Sequence, residues 1–315
     1  MDQLEVLTNI YQGSAIGLFV GDAFGRAVEG WHPLFIRKKY GILTNPLDGI
    51  YTDDTEMMIG LMESLLEKGD LDPDYTAKIF LKNFHPFRGY GRRIYGVMKR
   101  ISDGLPWDKV GTDSWGNGAA MRIAPVGFFF YDDLSKLEKA AILSSKITHK
   151  HPNGIAGALA QALAVAIATS KAIKKEKVIK EEFIKIIIER VKPISIDMET
   201  ELLKIKKLAL VSSVDEKIDL VVKNFRRDVS APGAVPAAIA SFLLATDFKE
   251  AVIIAVNAGG DTDTIGAMAG SIAGAYWGFN MIPSNWFEVL EDDKKGKSYI
   301  LGLAKHLAMR KLGIN

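Results

Sequence analysis

Gly13, Gly17, Gly21 and Gly25 fall every fourth residue, and Gly266, Gly270, Gly274 and Gly278 repeat the pattern near the other end of the chain. Positions four apart share one face of an α-helix, so each series predicts a helix with a ridge free of side chains, where another backbone can approach closely. Each glycine costs about 1 kcal/mol of helix propensity relative to alanine. A chain that carries two such ladders needs tightly packed central helices to offset them. Close packing accounts for the ladders and assigns them no chemistry.

The remaining apolar pattern also predicts an all-α fold, because apolar residues recur at three- and four-residue spacing rather than alternately. After Thr55, the residues Met58, Leu61, Met62, Leu65 and Leu66 make one apolar face, and Gly69 followed by Asp70 ends it as a glycine cap. Residues 157–170, 180–191, 199–212 and 235–245 read as helices for the same reason, with Pro152, Pro193 and Pro236 at or before three of the starts. The apolar run 126–131 fits either a short strand or a buried helix. Residues 171–223 alternate Lys and Glu with Ile, Leu and Val at helical spacing, which predicts solvated faces of outer helices. No Pro- or Ser-rich linker interrupts the chain, so the expected organisation is a single multi-helix domain over residues 1–315.

Composition narrows the chemistry. The chain has no cysteine, which excludes a thiol nucleophile, a disulfide framework, iron–sulfur clusters and Cys-ligated zinc. With only 5 histidines, a bound metal would draw on hydroxyls, carbonyls and carboxylates, which favours Mg²⁺ or Mn²⁺. A formal charge of +2, with charges of mixed sign, argues against nucleic acid as a partner. The N-terminal residues MDQLEVLTNI lack a basic segment followed by an apolar one, so a cytoplasmic protein is expected. Residues 154–169 are short with Gln161 inside, and residues 251–279 carry Asp261 and Asp263. Neither reads as a membrane span.

Two acidic motifs stand out, Thr52-Asp53-Asp54-Thr55 and Asp261-Thr262-Asp263-Thr264, each just before an apolar helical run. N-capping by Asp or Thr explains either motif alone. One Asp suffices for a cap, however, and both motifs crowd two carboxylates and two hydroxyls into apolar surroundings. Buried there, carboxylates are costly unless a cation or strong donors meet them. The two motifs together could build two oxygen-rich octahedral sites. A third stretch, Ser114-Trp115-Gly116-Asn117-Gly118, offers a turn whose N–H groups can face an anion, the more so if Ala119 begins a helix. Trp115 adds a stacking surface for a base. His149 and His151 precede Pro152, and spacing alone gives them no role.

These stretches carry a resemblance. Gly21-Asp22-Ala23-Phe24-Gly25 with Glu29, then Thr52-Asp53-Asp54-Thr55, Gly116-Asn117-Gly118-Ala119-Ala120-Met121-Arg122, Thr148-His149 and Gly259-Gly260-Asp261-Thr262-Asp263-Thr264-Ile265-Gly266, in that order, resemble the ADP-ribosylglycohydrolase family. The resemblance implies a compact all-α domain with a binuclear Mg²⁺ or Mn²⁺ centre at the bottom of an ADP-ribose cleft. By position it implies Thr52, Asp53, Asp54, Asp261, Asp263 and Thr264 as metal ligands and Glu29 as the acidic residue that handles substrate. Ser114, Trp115, Gly116, Asn117 and Gly118 match the loop for the diphosphate and distal nucleoside, and His149 the histidine near the adenosine end. The implied activity is hydrolysis of the C1″ bond of ADP-ribose conjugates, on a protein side chain or a small molecule. The acceptor, whether Arg, Ser or acetyl, stays open, as does the oligomeric state. Hydrolysis of O-acetyl-ADP-ribose and silent binding of ADP-ribose stay open as alternatives.

Overall fold

The computed structural model describes residues 2–314. In chain order its helices are α1 (Gln3–Arg26), α2 (Pro33–Tyr40), α3 (Asp53–Lys68), α4 (Pro73–Asn83), α5 (Arg92–Ser102), α6 (Trp107–Val110), α7 (Ala124–Phe129), α8 (Leu134–Lys146) and α9 (Pro152–Lys174). They continue with α10 (Lys180–Val191), α11 (Ile196–Leu203), α12 (Val214–Asn224), α13 (Ala231–Leu244), α14 (Phe248–Asn257), α15 (Thr262–Trp277), α16 (Ser284–Glu288) and α17 (Lys297–Lys311). Among the described residues there is no β-sheet; extended pairing is limited to isolated bridges at Thr112–His149 and Gly116–Ser230. The fold is all-α.

α1 and α15 form the most extensive helix pair, and their glycine faces meet. A Cβ at Gly13, Gly17 or Gly21 would lie 2.3, 2.3 or 2.0 Å from the carbonyl oxygens of Gly274, Gly270 and Gly266. At Gly25 it would lie 2.1 Å from the Thr262 carbonyl oxygen. Contact at these distances leaves no room for a side chain, which is why propensity is surrendered here. The pairing order makes the helices antiparallel, so the end of α1 meets the start of α15. Gly278 differs from the rest of its series: it sits at φ 83°, the left-handed region open to glycine, and ends α15.

Caps explain most boundaries. Gly69, at φ 70°, ends α3 as expected. The run 126–131 resolves as helix up to Phe129, with Pro125 in the first turn of α7, and ends in a turn. The helix expected over 199–212 instead runs Ile196–Leu203 and tightens into a 3-10 turn at Lys204–Lys207. Ser195 Oγ accepts from Met198 N (3.0 Å) and fixes the earlier start, while Ser213 opens α12 through a capping box with Glu216. Pro236 does not start a helix but lies inside α13, which begins at Ala231 under Ser230, whose Oγ accepts from Gly233 N (3.1 Å). By length and composition α9 could cross a membrane, yet it is buried inside the protein, with Gln161 Nε2 donating to Met268 O (3.0 Å) and Ser271 Oγ (3.1 Å).

Candidate active site

The antiparallel crossing places Glu29, just past α1, beside the first turn of α15. Carboxylate oxygens of Glu29, Asp261 and Asp263 lie within 4.8 Å of one another. The start of α3 joins them through Asp22, on the buried face of α1. Its carboxylate accepts from Thr52 N (3.0 Å), Thr55 N (3.2 Å) and Thr55 Oγ1 (2.6 Å), pinning the first turn that carries Asp53 and Asp54. Thr264 Oγ1 donates to Asp54 Oδ1 (3.4 Å) and links the two motifs directly. Thr52 caps α3, accepting from Asp54 N (3.3 Å), whereas Asp261 occupies the N-cap position of α15 without making a side-chain cap bond. Capping therefore accounts for Thr52 and leaves the four Asp carboxylates unexplained.

Their electrostatics are costly. Burial holds Asp53, Asp54 and Asp263 well above the usual carboxylate range, and neighbouring carboxylates push further: Asp22 on Asp53 and Asp54, Asp261 on Asp263. Burial also raises Asp261, against the lowering effect of a 2.5 Å bond from Asn117 Nδ2. Glu29 is raised by partial burial of its carboxyl and by Asp261. Burial pushes Asp22 up to about 6 in spite of its Thr52 and Thr55 donors. Asp54 Oδ2 is buried with no hydrogen-bond partner. An orphaned carboxylate oxygen beside other acids is a donor set fitted to a hard divalent cation, which would keep the group ionised together.

A cleft of about 620 Å³ opens over this cluster. Glu29, Asp53, Asp54, Asp261, Asp263 and Thr264 line one part of it, and Ser114, Trp115, Gly116, Asn117, Gly118 and His149 another. Of the residues expected at the site, Thr52 is absent from the lining. The loop is held by Asn117 N donating to Val229 O (3.0 Å) and Ala231 N donating to Trp115 O (3.0 Å). It continues as a turn rather than a helix at Ala119; α7 begins at Ala124. Gly118 is required, since a Cβ there would stand 2.9 Å from His149 Cε1.

Arg122, fully buried, holds the base of the loop: Nη1 donates to Gly118 O (3.0 Å), and Nη2 to Ser144 O (2.8 Å) and Thr148 Oγ1 (2.9 Å). Thr148 Oγ1 shares a hydrogen with His149 Nδ1 (2.7 Å). Burial, then Arg122 and Arg93, push the imidazole down to about 3, so it is neutral at physiological pH. Asn117 thus joins the loop to the acidic cluster through Asp261.

Residues 4–313 match the family model for ADP-ribosylglycohydrolase. The chain belongs to the ADP-ribosylglycohydrolase family. As a member of that family it is a glycosyl hydrolase. It is 30% identical to ADP-ribosylhydrolase ARH3 of Gallus gallus, covering 89% of both chains, and 30% identical to ARH3 of Homo sapiens over 76% of this chain and 74% of that one. An uncharacterised protein of Archaeoglobus fulgidus is 34% identical over 90% of this chain and 92% of its own length. Among solved structures, an ADP-ribosylglycohydrolase-related protein complex shares the fold, with TM-score 0.74, 24% identity and coverage of 98% and 99%.

Several cleft residues carried no expectation from sequence. Asp22 and Arg122, which support the cleft from behind its lining, lie inside the motifs but had no role, and the walls formed by Asp228–Ser230 and by Gly89 and residues 91–94 come from unrelated parts of the chain. For Asp22 a signal did exist: it is an acid on the otherwise apolar and glycine-rich helix α1.

Proposed function

We propose that this chain hydrolyses the bond between C1″ of ADP-ribose and its acceptor, and that the reaction requires two divalent cations, Mg²⁺ or Mn²⁺. The observation that carries the reading is the convergence of Glu29, Asp53, Asp54, Asp261, Asp263 and Thr264 at one part of a cleft whose other part is the Trp115–His149 surface. Asp53, Asp54, Asp261, Asp263 and Thr264, with Thr52 behind them, would hold the cations. Bound there, the cations supply charge neutralisation and a template for the terminal ribose hydroxyls.

The chain's own groups do the rest. The 114–118 loop and the neutral His149 bind the diphosphate and adenosine, with Trp115, half exposed, stacking on the base. Glu29 is the proton carrier: partial burial and Asp261 raise its carboxyl above an ordinary glutamate, which favours proton exchange there. As the C1″ bond to the acceptor breaks through an oxocarbenium-like state, Glu29 gives its proton to the departing acceptor, and the water that adds at C1″ returns a proton to Glu29. The net change is one water consumed.

The test is to offer purified protein Arg-, Ser- and acetyl-linked ADP-ribose after chelation and after return of Mg²⁺ or Mn²⁺. Release of ADP-ribose from at least one linkage, abolished by the chelator and restored by the metal, is expected. Activity indifferent to a strong chelator would sink the cation requirement, and calorimetric binding of ADP-ribose without any hydrolysis would leave a silent binder.

A further inference from the structure

Residues 89–94 form a second wall of the cleft, supplied by neither acidic motif nor by the 114–118 loop. Gly89 lies at the acidic part: at φ 89°, a Cβ there would be 3.9 Å from Asp53 Oδ1 and nothing else within 4 Å. Arg93 lines the same cleft as His149, whose imidazole its charge helps to hold down. The segment therefore carries Gly89 beside the cluster and two guanidinium groups into the cleft. Glu29, Asp53, Asp54, Asp228, Asp261 and Asp263 all line the cleft, and among the described residues the only Lys or Arg side chains that line it are Arg92 and Arg93. Both are exposed at the start of α5, and neither has an ion-pair or side-chain hydrogen-bond partner among the described residues.

Cations held at the acidic part would offset its carboxylates, whereas a diphosphate lying away from them has, among the described residues, only backbone N–H groups and these two guanidinium groups to meet its charge. Guanidinium is the side chain best matched to phosphate, since its planar fork makes two parallel charge-assisted bonds. We propose that Arg92 and Arg93 bind the diphosphate of the ADP-ribose unit, from a wall distinct from the 114–118 loop. The inference rests on the cleft being an ADP-ribose site.

Isothermal titration of the full chain with ADP-ribose and with adenosine, in Mg²⁺, tests it. R92Q/R93Q should weaken ADP-ribose binding roughly ten- to hundredfold, the size expected for lost charge-assisted bonds. Adenosine affinity and the melting temperature should hardly move, because both side chains are exposed. R92K/R93K, which keeps the charge, should lose less. Unchanged ADP-ribose affinity in R92Q/R93Q overturns the inference, as does an equal loss for adenosine, which would mark the segment as merely structural. Slower cleavage of protein conjugates with unchanged ADP-ribose binding also overturns it and assigns the arginines to the acceptor. Failure of the wild-type chain to bind ADP-ribose overturns the functional reading itself and this inference with it, a result distinct from the other three.

Discussion

Gly21→Ala should destabilise the protein far more than a methyl group ordinarily does. The new Cβ would stand 2.0 Å from Gly266 O, 2.2 Å from Gly266 C and 2.7 Å from Ala267 N, all backbone atoms that cannot rotate aside. Ordinary contact begins near 3.4 Å, so α1 and α15 must part by over an ångström at this point. Overpacking a rigid core costs roughly 1–3 kcal/mol, at the upper end where both partners are backbone, and Gly→Ala returns about 1 kcal/mol of helix propensity, which leaves a net loss of about 2 kcal/mol. At about 2.1 cal/mol/K per residue of unfolding entropy, that lowers the melting temperature of a chain this long by about 3 °C.

Gly302→Ala in α17 is the control, because a Cβ there meets nothing within 4 Å. It should stabilise by up to about 1 kcal/mol. Position along the ladder gives a second control: Gly13→Ala, whose Cβ would be 2.3 Å from Gly274 O, lies at the far end of the pair from Glu29 and Asp261. It should cost similar stability but spare Mg²⁺ affinity, which Gly21→Ala, beside Asp22, should weaken. Scanning calorimetry and Mg²⁺ titration measure both. A Gly21→Ala protein that melts within a degree of Gly302→Ala would refute the claim that backbone contact sets the ladders.

Two further outcomes follow from the cluster. Glu29→Gln should keep the thermal shift produced by Mg²⁺ while hydrolysis falls about 10²–10⁴-fold, the usual contribution of a positioned proton carrier, whereas Asp261→Asn should lose the shift; Glu29→Gln with full turnover removes Glu29 from the chemistry, and loss of the shift makes it a ligand. In chelator, the protein should melt higher at pH 5 than at pH 7.5. Asp22 rises from 3.8 to about 6 on folding, and Asp53, Asp54 and Asp263 rise well above their usual range, so these four carboxyls hold more protons in the folded state between about pH 4 and beyond pH 6, against the one proton that His149, lowered from 6.5 to about 3, gives up. The stability these groups contribute is complete below pH 4 and lost as pH climbs through the folded values, about 3 kcal/mol of it at Asp22 alone. Saturating Mg²⁺ should flatten that fall, and a metal-free profile that rises with pH would show the carboxyls ionised without a cation.

What the sequence made legible was whatever repeats locally. The period of four in the glycines, the apolar face from Met58 to Leu66 and the crowding of Asp and Thr into two short motifs all read correctly, because helix geometry and desolvation act within a turn or two. What could not be read arises between distant segments. Asp22 looks isolated until its carboxylate meets Thr52 and Thr55 across more than one helix. Arg122 belongs to a visible motif, yet its work is to join Gly118, Ser144 and Thr148. The wall at residues 89–94 opens a helix whose apolar spacing, Ile94, Val97, Met98 and Ile101, is legible, but nothing in that spacing ties it to the cleft. The misread helix at 199–212 failed for a local reason instead: Ser195 and Ser213 are caps, and caps outweigh apolar spacing at helix ends.

The ladders alone would not place the site. Sliding α15 by four residues along α1 would pair Gly13 with Gly278, Gly17 with Gly274, Gly21 with Gly270 and Gly25 with Gly266, glycine against glycine at every step. The observed register instead sets Gly25 against Thr262 and makes Gly274, not Gly278, the carbonyl partner of Gly13. Side chains make the choice. Thr262 Oγ1 donates to Gly25 O (2.8 Å), and Ser14 Oγ donates to Ser271 O (2.9 Å), both buried, so a slip would break both hydroxyl bonds. Gly278, turning at φ 83° against Asn9, stops the helix where the slipped register would need it to continue. A slip of four residues is about 6 Å along the axis, enough to carry Asp261 and Asp263 out of reach of Glu29. The polar pins at Thr262 and Ser14 therefore determine which carboxylates meet, and the glycines determine how closely.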